Sequence, residues 1–203
     1  MLSQPDDSTR SLMGGRLCLA VVNSVSWRRS DEPDDHLDSY DYLLDVVETS
    51  GRLPDIESLR VLAKSEPGPA GLVLARVAEL REQLYEIFSA VAAGEILSPV
   101  ALSRLNDVVG QALSQLQLAP AGSGARVDWR SPVDVNLPLW LIALSAVDVL
   151  TDSSLDRVKQ CPDERCGWVF FDVTRNRSRR WCEDGQCGNR ARAKRYYERH
   201  HAS

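Results

Sequence analysis

The sequence predicts a mainly α fold in two parts, a helical N-terminal domain followed by a small C-terminal module built around a metal. Three observations carry this. Apolar residues recur at three- and four-residue steps over much of residues 39–150, the period of helices that bury one face. Gly and Pro fall between those stretches as punctuation. Four of the five cysteines are Cys161, Cys166, Cys182 and Cys187, spaced C-x4-C-x15-C-x4-C.

Residues 1–15 are polar and contain glycine, the composition of a flexible, frayed N-terminus. The apolar run at 17–25 is too short to assign by period and fits either a strand or the start of a buried helix. Cys18 within it reads as a buried small hydrophobe. Residues 31–35 form an acidic loop. Residues 39–47 read as an amphipathic helix closed by Gly51. A short helix follows Pro54, with Leu59, Leu62 and Ala63 on one face, and Glu66-Pro67-Gly68-Pro69 breaks it.

The longest helix is predicted over 70–93, where Val73, Val77, Leu80, Leu84, Ile87 and Val91 form one stripe and Gly94 ends it. Ser98, with Pro99 at the first helical position, opens the next, on which Leu102, Leu105, Val109, Ala112 and Leu116 repeat the pattern. Residues 120–124 read as a loop and 127–129 as a short strand. Residues 137–150 are apolar on most sides and predict a central buried helix, with a turn at 155–158. These stripes read as core packing and give a helical domain over 16–156.

The cysteines come next, over 157–203. Two short pairs separated by a loop can point four thiolates at one centre, which is what tetrahedral Zn²⁺ takes. With every ligand supplied by cysteine no coordination position stays open, so the spacing predicts one structural zinc in a treble-clef-like or zinc-ribbon-like module. Two disulfides are the alternative, in an oxidising compartment. No stretch reaches the roughly 20 apolar residues of a membrane span. The run at 17–22 is interrupted by Asn23 and Ser24, short of a secretory leader. The expectation is a cytoplasmic protein without a membrane, whose reduced cysteines bind metal. Residues 161–166 turn over the metal, 167–171 form a β-type run, and Trp168, Phe170 and Trp181 pack over the site. A helix is predicted from 186 to about 200, with Cys182 just before it and Cys187 in its first turn.

Charge divides the chain. Residues 1–156 hold 12 Lys and Arg against 23 Asp and Glu, a net −11, while 157–203 hold 12 against 6, a net +6. The acidic body and basic tail point to a polyanionic partner for the tail. Candidate nucleic-acid contacts are Arg175, Arg177, Arg179 and Arg180 in the loop, and Arg190, Arg192, Lys194, Arg195 and Arg199 on the helix. Arginine clamps phosphate or reads guanine in two-pronged fashion. Some of these cations instead neutralise a zinc–thiolate centre of net charge −2. Interleaved aromatics also suit RNA or single strands, by stacking.

Cys187-Gly188-Asn189-Arg190, with the paired cysteines and Arg179-Arg180-Trp181-Cys182 before it, resembles the CGNR zinc-finger family. Proteins of that family carry a helical N-terminal domain called ABATE and are described as stress-induced transcription regulators. Leu17-Cys18-Leu19-Ala20-Val21-Val22-Asn23-Ser24 resembles that domain's opening Leu-Cys-Leu-Asp-Phe-Val-Asn-Thr pattern, with Ala20 in place of its acid. The resemblance implies a zinc-binding, DNA-binding regulator. Gly188 and Asn189 read as braces of the zinc loop, and Arg190 fits either that role or a DNA contact.

His36, His200 and His201 are the three histidines, and none belongs to a nucleophile-and-base grouping. No phosphate-binding glycine loop is present. The expectation is a protein that is not an enzyme. Its helical domain would serve sensing or homodimerisation, with a small-molecule or protein ligand between the helices near 40–47, 70–93 and 137–150. The competing reading is an adaptor whose zinc tail docks a protein.

Overall fold

The computed structural model describes residues 14–53 and 55–201. The N-terminus predicted to fray lies outside those residues except for Gly14 and Gly15, and Pro54 lies outside them too. Gly14 is tethered: it is buried and its carbonyl accepts from Phe171 N at 2.8 Å. At φ +86° its Cα faces Leu19 and Asn23, which a Cβ would strike at 2.8 and 2.9 Å.

The ambiguous run at the start is a helix, α1 (Leu17–Val22), and all six of its residues are buried. Burial on every side is why no period marks it. A two-residue strand pair follows, β1 (Val25–Ser26) with β2 (Asp34–Asp35). Then α2 (Tyr40–Glu48) starts at Ser39, whose hydroxyl accepts from Tyr42 N. Asp55 caps α3 (Ile56–Ser65) in the same way through Ser58 N.

Between α3 and α4 (Pro67–Ala93) stands a single residue, Glu66, which ends one helix and begins the next at φ −126°, ψ 62°. Pro67-Gly68-Pro69, predicted as a break, is thus the first turn of the longest helix. The missing N–H of proline costs nothing there. Gly94, left-handed at φ +70°, stops α4 where predicted.

Ser98 caps α5 (Pro99–Ser114). Beyond it the sequence reading needs correction. Residues 116–129 form a hairpin, β3 (Leu116–Ala121) with β4 (Gly124–Trp129), closed by Gly122 and Ser123. Leu116 belongs to that hairpin rather than to the helix stripe. Gly122 at φ +58° supplies the turn. Most of the hairpin is exposed, and Trp129 stacks on Trp140 at 5.8 Å at its base.

The predicted central helix is α6 (Leu137–Leu150), buried along nearly its whole length and packed against α1, α2, α4 and α5. Full burial of a side chain such as Leu139 or Ile142 contributes about 1.5–3 kcal/mol. The facing surfaces of α2, α4 and α6, where a ligand was expected, meet through buried Leu43, Leu44, Val47, Val77, Leu80, Ile142 and Val149. One charge lies deep at the edge of this core. Arg81 on α4 is 5 % exposed and grips Asp35 with both amino groups, at 2.6 and 2.7 Å. That guanidinium holds the Asp35 carboxyl below its ordinary range.

After a 3-10 turn at Leu155–Arg157, β5 (Val158–Gln160) pairs antiparallel with β6 (Val169–Phe171). This small sheet has two faces. Val158, Val169 and Phe171 join the core of α1, α4 and α6, whereas Phe170 faces the cysteines. The apolar core therefore runs across the boundary predicted at 156/157. A one-turn π-helix at Asp184–Gly188 then leads into α7 (Asn189–His201).

Candidate metal centre

The first cysteine pair sits on the turn that joins β5 to β6. Cys161 N donates to Trp168 O at 2.8 Å and Cys166 N to Asp163 O at 3.1 Å, so the chain folds back over the two sulfurs. Gly167 completes the turn at φ +74°, where a Cβ would meet Arg29 and the Tyr85 hydroxyl at 3.0 and 3.1 Å. The second pair comes from the other side. Cys182 lies in the loop before the π-helical turn and Cys187 within it, two residues ahead of the start of α7 proper.

All four cysteines are buried, and their sulfurs lie within 4.8 Å of one another. Cys166 Sγ to Cys182 Sγ is 3.5 Å and Cys182 Sγ to Cys187 Sγ is 3.6 Å. A tetrahedron of Zn–S bonds near 2.3 Å places its sulfurs about 3.8 Å apart, so the set fits one zinc ion. The same separations are far too long for disulfides, whose sulfurs lie about 2.05 Å apart. Without a cation the cluster is in conflict. Hydrogen bonds from Cys166 and Cys182 pull the Cys161 thiol down, and Cys161 pushes both of those neighbours up. Cys161, Cys166, Cys182 and Cys187 would hold a divalent ion as four thiolates, which would remove that conflict. Four protein sulfurs leave no position for substrate or water, so the ion is structural.

Phe170 is buried among the sulfurs, with Trp168 and Trp181 packed against them. Every position of the Cys187-Gly188-Asn189-Arg190 run is engaged within the module. A Cβ on Gly188 would collide with the Asp184 carboxylate and the Trp181 ring. Asn189 Nδ2 donates to Gly185 O at 2.5 Å. Arg190 lays its guanidinium on Cys187 Sγ at 2.9 Å and on Asp163 Oδ2 at 3.1 Å, offsetting part of the centre's negative charge.

The other predicted cations divide into two groups. Arg179 donates to Trp181 O at 3.1 Å and to Cys182 O, and its guanidinium covers the Phe170 ring. Arg177 pairs with Asp156 and Lys194 with Glu164. Arg192 is held by Asp184 at 3.0 Å and Asn189 at 2.6 Å. Arg175, Arg180, Arg195 and Arg199 have no carboxylate partner among the described residues. Arg180 lies 5.4 Å from the Trp181 ring, and Arg195 and Arg199 donate only to carbonyls one turn back on their own helix. A shallow recess of about 370 Å³ between α4 and the module is lined by Ala92, Lys159, Gln160, Ser178 and Arg180.

Sequence reasoning missed what fixes this module to the body. Asn23 pairs with β6 as a strand would: its Nδ2 donates to Val169 O at 2.7 Å and its Oδ1 accepts from Val169 N at 2.9 Å. Trp168 Nε1 donates to Val25 O at 2.8 Å. Gln160 reaches α4 through Tyr85 and Ser89. Trp27, left-handed at φ +54°, carries the Arg190 guanidinium 4.3 Å above its ring, with that of Arg165 at 5.4 Å. Only Asn23 had any signal, as a polar residue closing an apolar run. Ala20, where the related pattern carries an acid, is 3 % exposed inside α1.

Asp172, fully buried just after β6, organises the loop before Cys182. It accepts from Lys159 Nζ at 2.6 Å, Thr174 N at 2.9 Å and Arg179 N at 3.0 Å. Burial works against its charge, but these donors outweigh burial and hold the carboxyl down at about 2.

Residues 15–153 match the family model ABATE, described as "Putative stress-induced transcription regulator", and residues 157–200 match the model zf-CGNR, described as "CGNR zinc finger". No curated protein matches the chain.

Proposed function

The chain belongs to the ABATE family and carries a CGNR zinc finger at its C-terminal end, and on that premise we propose that it is a zinc-dependent, DNA-binding transcription regulator that catalyses no reaction. The observation supporting this most is the state of α7. Residues 192–200 are exposed on every side of the helix, and α7 carries five cations against one acid. A helix of this length that is exposed over nine consecutive residues is marginal in water, and an anionic surface is the partner that suits its charge.

The division among the cations supports a division of roles. Arg179, Arg190 and Arg192 hold the zinc loop together. Arg195 and Arg199, with Arg175 and Arg180 from the preceding loop, are available for phosphate. Tyr196, 54 % exposed next to Arg195, favours a second reading in which the same helix stacks on the bases of a single strand.

The test is affinity against salt with zinc-loaded protein, on duplex and on single-stranded DNA and RNA. On duplex, log affinity should fall with log salt at about −0.9 per phosphate neutralised. Arg195→Ala and Arg199→Ala should each flatten the slope by about one while shifting stability by less than about 0.5 kcal/mol, since neither holds another residue's side chain. Salt-independent binding, or none, would leave a protein-docking adaptor as the better reading. Preference for single strands over duplex would select the stacking mode.

A further inference from the structure

The hairpin of β3 and β4 has no part in the metal site or in the proposed DNA contact, yet it exposes apolar side chains. Leu118 is 75 % exposed and Val127 51 %, and these two residues face each other across the hairpin. Its two outer edges differ. Arg130 N donates to Gln115 O, which sets the alternation of the ladder. By that alternation Arg126 and Asp128 spend their backbone groups on β3, and Ala125, Val127 and Trp129 turn theirs outward. On the β3 side the outward set is Leu116, Leu118 and Pro120, and the proline has no N–H to offer. Pro120 blunts that edge. On β4 Trp129 is engaged within the chain, its N–H by Asp128 Oδ1 at 3.0 Å and its C=O by Gln117 Nε2 at 3.4 Å, while among the described residues nothing takes the outward groups of Val127.

We propose that the outer edge of β4 is where a second copy of this chain pairs, antiparallel about a two-fold axis through Val127. Three features converge on that register. First, Val127 on the axis exchanges its outward N–H and C=O with its symmetry mate, in a hydrogen-bonded pair. Second, Arg126 then stands opposite Asp128 of the other copy and Asp128 opposite its Arg126, so the edge is complementary in charge to itself, as a two-fold contact requires. These are the non-hydrogen-bonded positions, where cross-strand side chains come closest. Within one chain Arg126 already pairs with Asp128 at 2.6 Å, and the dimer re-forms that contact twice between strands. Third, Leu118, Val127 and their two mates line up as one apolar row across a four-stranded sheet, covering side chains that a lone hairpin leaves in water. Shifting the register by one or two residues loses the charge match.

This pairing is independent of whether α7 binds DNA, and it would present two copies of α7 on one assembly, the arrangement by which single-helix readers gain affinity. The experiment is the mass of the full, zinc-loaded chain in solution by light scattering, without nucleic acid. The expected mass is twice that of the chain. Val127→Pro removes an N–H that β3 does not use, and should yield monomer with unchanged helix content. Arg126→Asp should also yield monomer, by placing acids opposite one another. The double change Arg126→Asp with Asp128→Arg restores complementarity and should restore the dimer. A monomeric wild-type chain at every concentration overturns the proposal, as does a dimer that survives both single changes. If Val127→Pro unfolds, the loss and recovery across the charge pair decide the matter alone.

Discussion

α6 and α7 have nearly the same length and opposite surroundings. α6 is enclosed by α1, α2, α4 and α5, and Asp148 is its only charged residue. Its partners are mostly apolar, with Arg52 on Asp148 and the Cys18 N–H on Ser145 as polar additions, and its place is fixed on every side. α7 is exposed from Arg192 through His200 and is fixed near one end, by Cys187, Arg190 and the Asp184–Arg192 and Glu164–Lys194 pairs. One helix is held by burial spread along its length, the other by a metal and a few ion pairs at its root. Damage to the two should therefore differ in kind: gradual for α6, all or nothing for α7.

The strongest way to break that contrast is to remove a ligand. Cys182→Ser should lose the zinc, which contributes on the order of 10 kcal/mol to small zinc modules. The expected outcome is loss of α7 and of the loops at 161–168 and 172–188. β5 and β6 keep part of their protection, because Val158, Val169 and Phe171 pack on the body. Hydrogen exchange with metal analysis checks this; equal loss of protection in α6 and α7 would erase the distinction between them.

Next in size is the joint. Asn23→Ala leaves the buried N–H and C=O of Val169 without partners, at about 1–3 kcal/mol for each group. Thermal or denaturant unfolding should show a loss of about 2–5 kcal/mol while zinc content stays at one per chain. Zinc loss on this change would mean that the module cannot hold its metal undocked.

The smallest effect is tied to pH. Asp172 is ionised with its carboxyl held at about 2, against about 3.9 in an unfolded chain. A lowered value contributes stability that is present above about pH 4 and is lost as pH falls towards 2. The shift corresponds to about 2–3 kcal/mol. Asp172→Asn should be less stable by that amount at neutral pH, and its deficit relative to wild type should narrow below about pH 4. A deficit that stays constant down to pH 2 would assign the role of Asp172 to shape rather than charge.

Much of this contrast could be read from the sequence. The stripes of α4 and α5, their Ser98 and Gly94 boundaries and the apolar α6 are all local patterns, and the cysteine spacing carried the metal site. What stayed hidden has physical reasons. α1 is buried on all sides and so has no period. The hairpin at 116–129 is exposed on both faces, so alternation never marks it, and Pro120 reads as a loop although it sits at a strand edge. The partition of the arginines was illegible because Asp163, Glu164 and Asp184, which restrain Arg190, Lys194 and Arg192, announce no partner in the sequence. Asn23 and Val169 meet across 146 positions, and no local signal links them.

That separation also has a kinetic consequence. Bringing Asn23 to Val169 closes a loop spanning most of the chain, which carries a large entropic barrier for a contact of two hydrogen bonds. The helices of the body, whose contacts are nearer in sequence, can collapse without it. The metal would gather cysteines lying within 26 positions of one another, a far shorter loop to close. Docking of β6 beside Asn23 is then the late step, a meeting of two pieces that each form from contacts nearer in sequence.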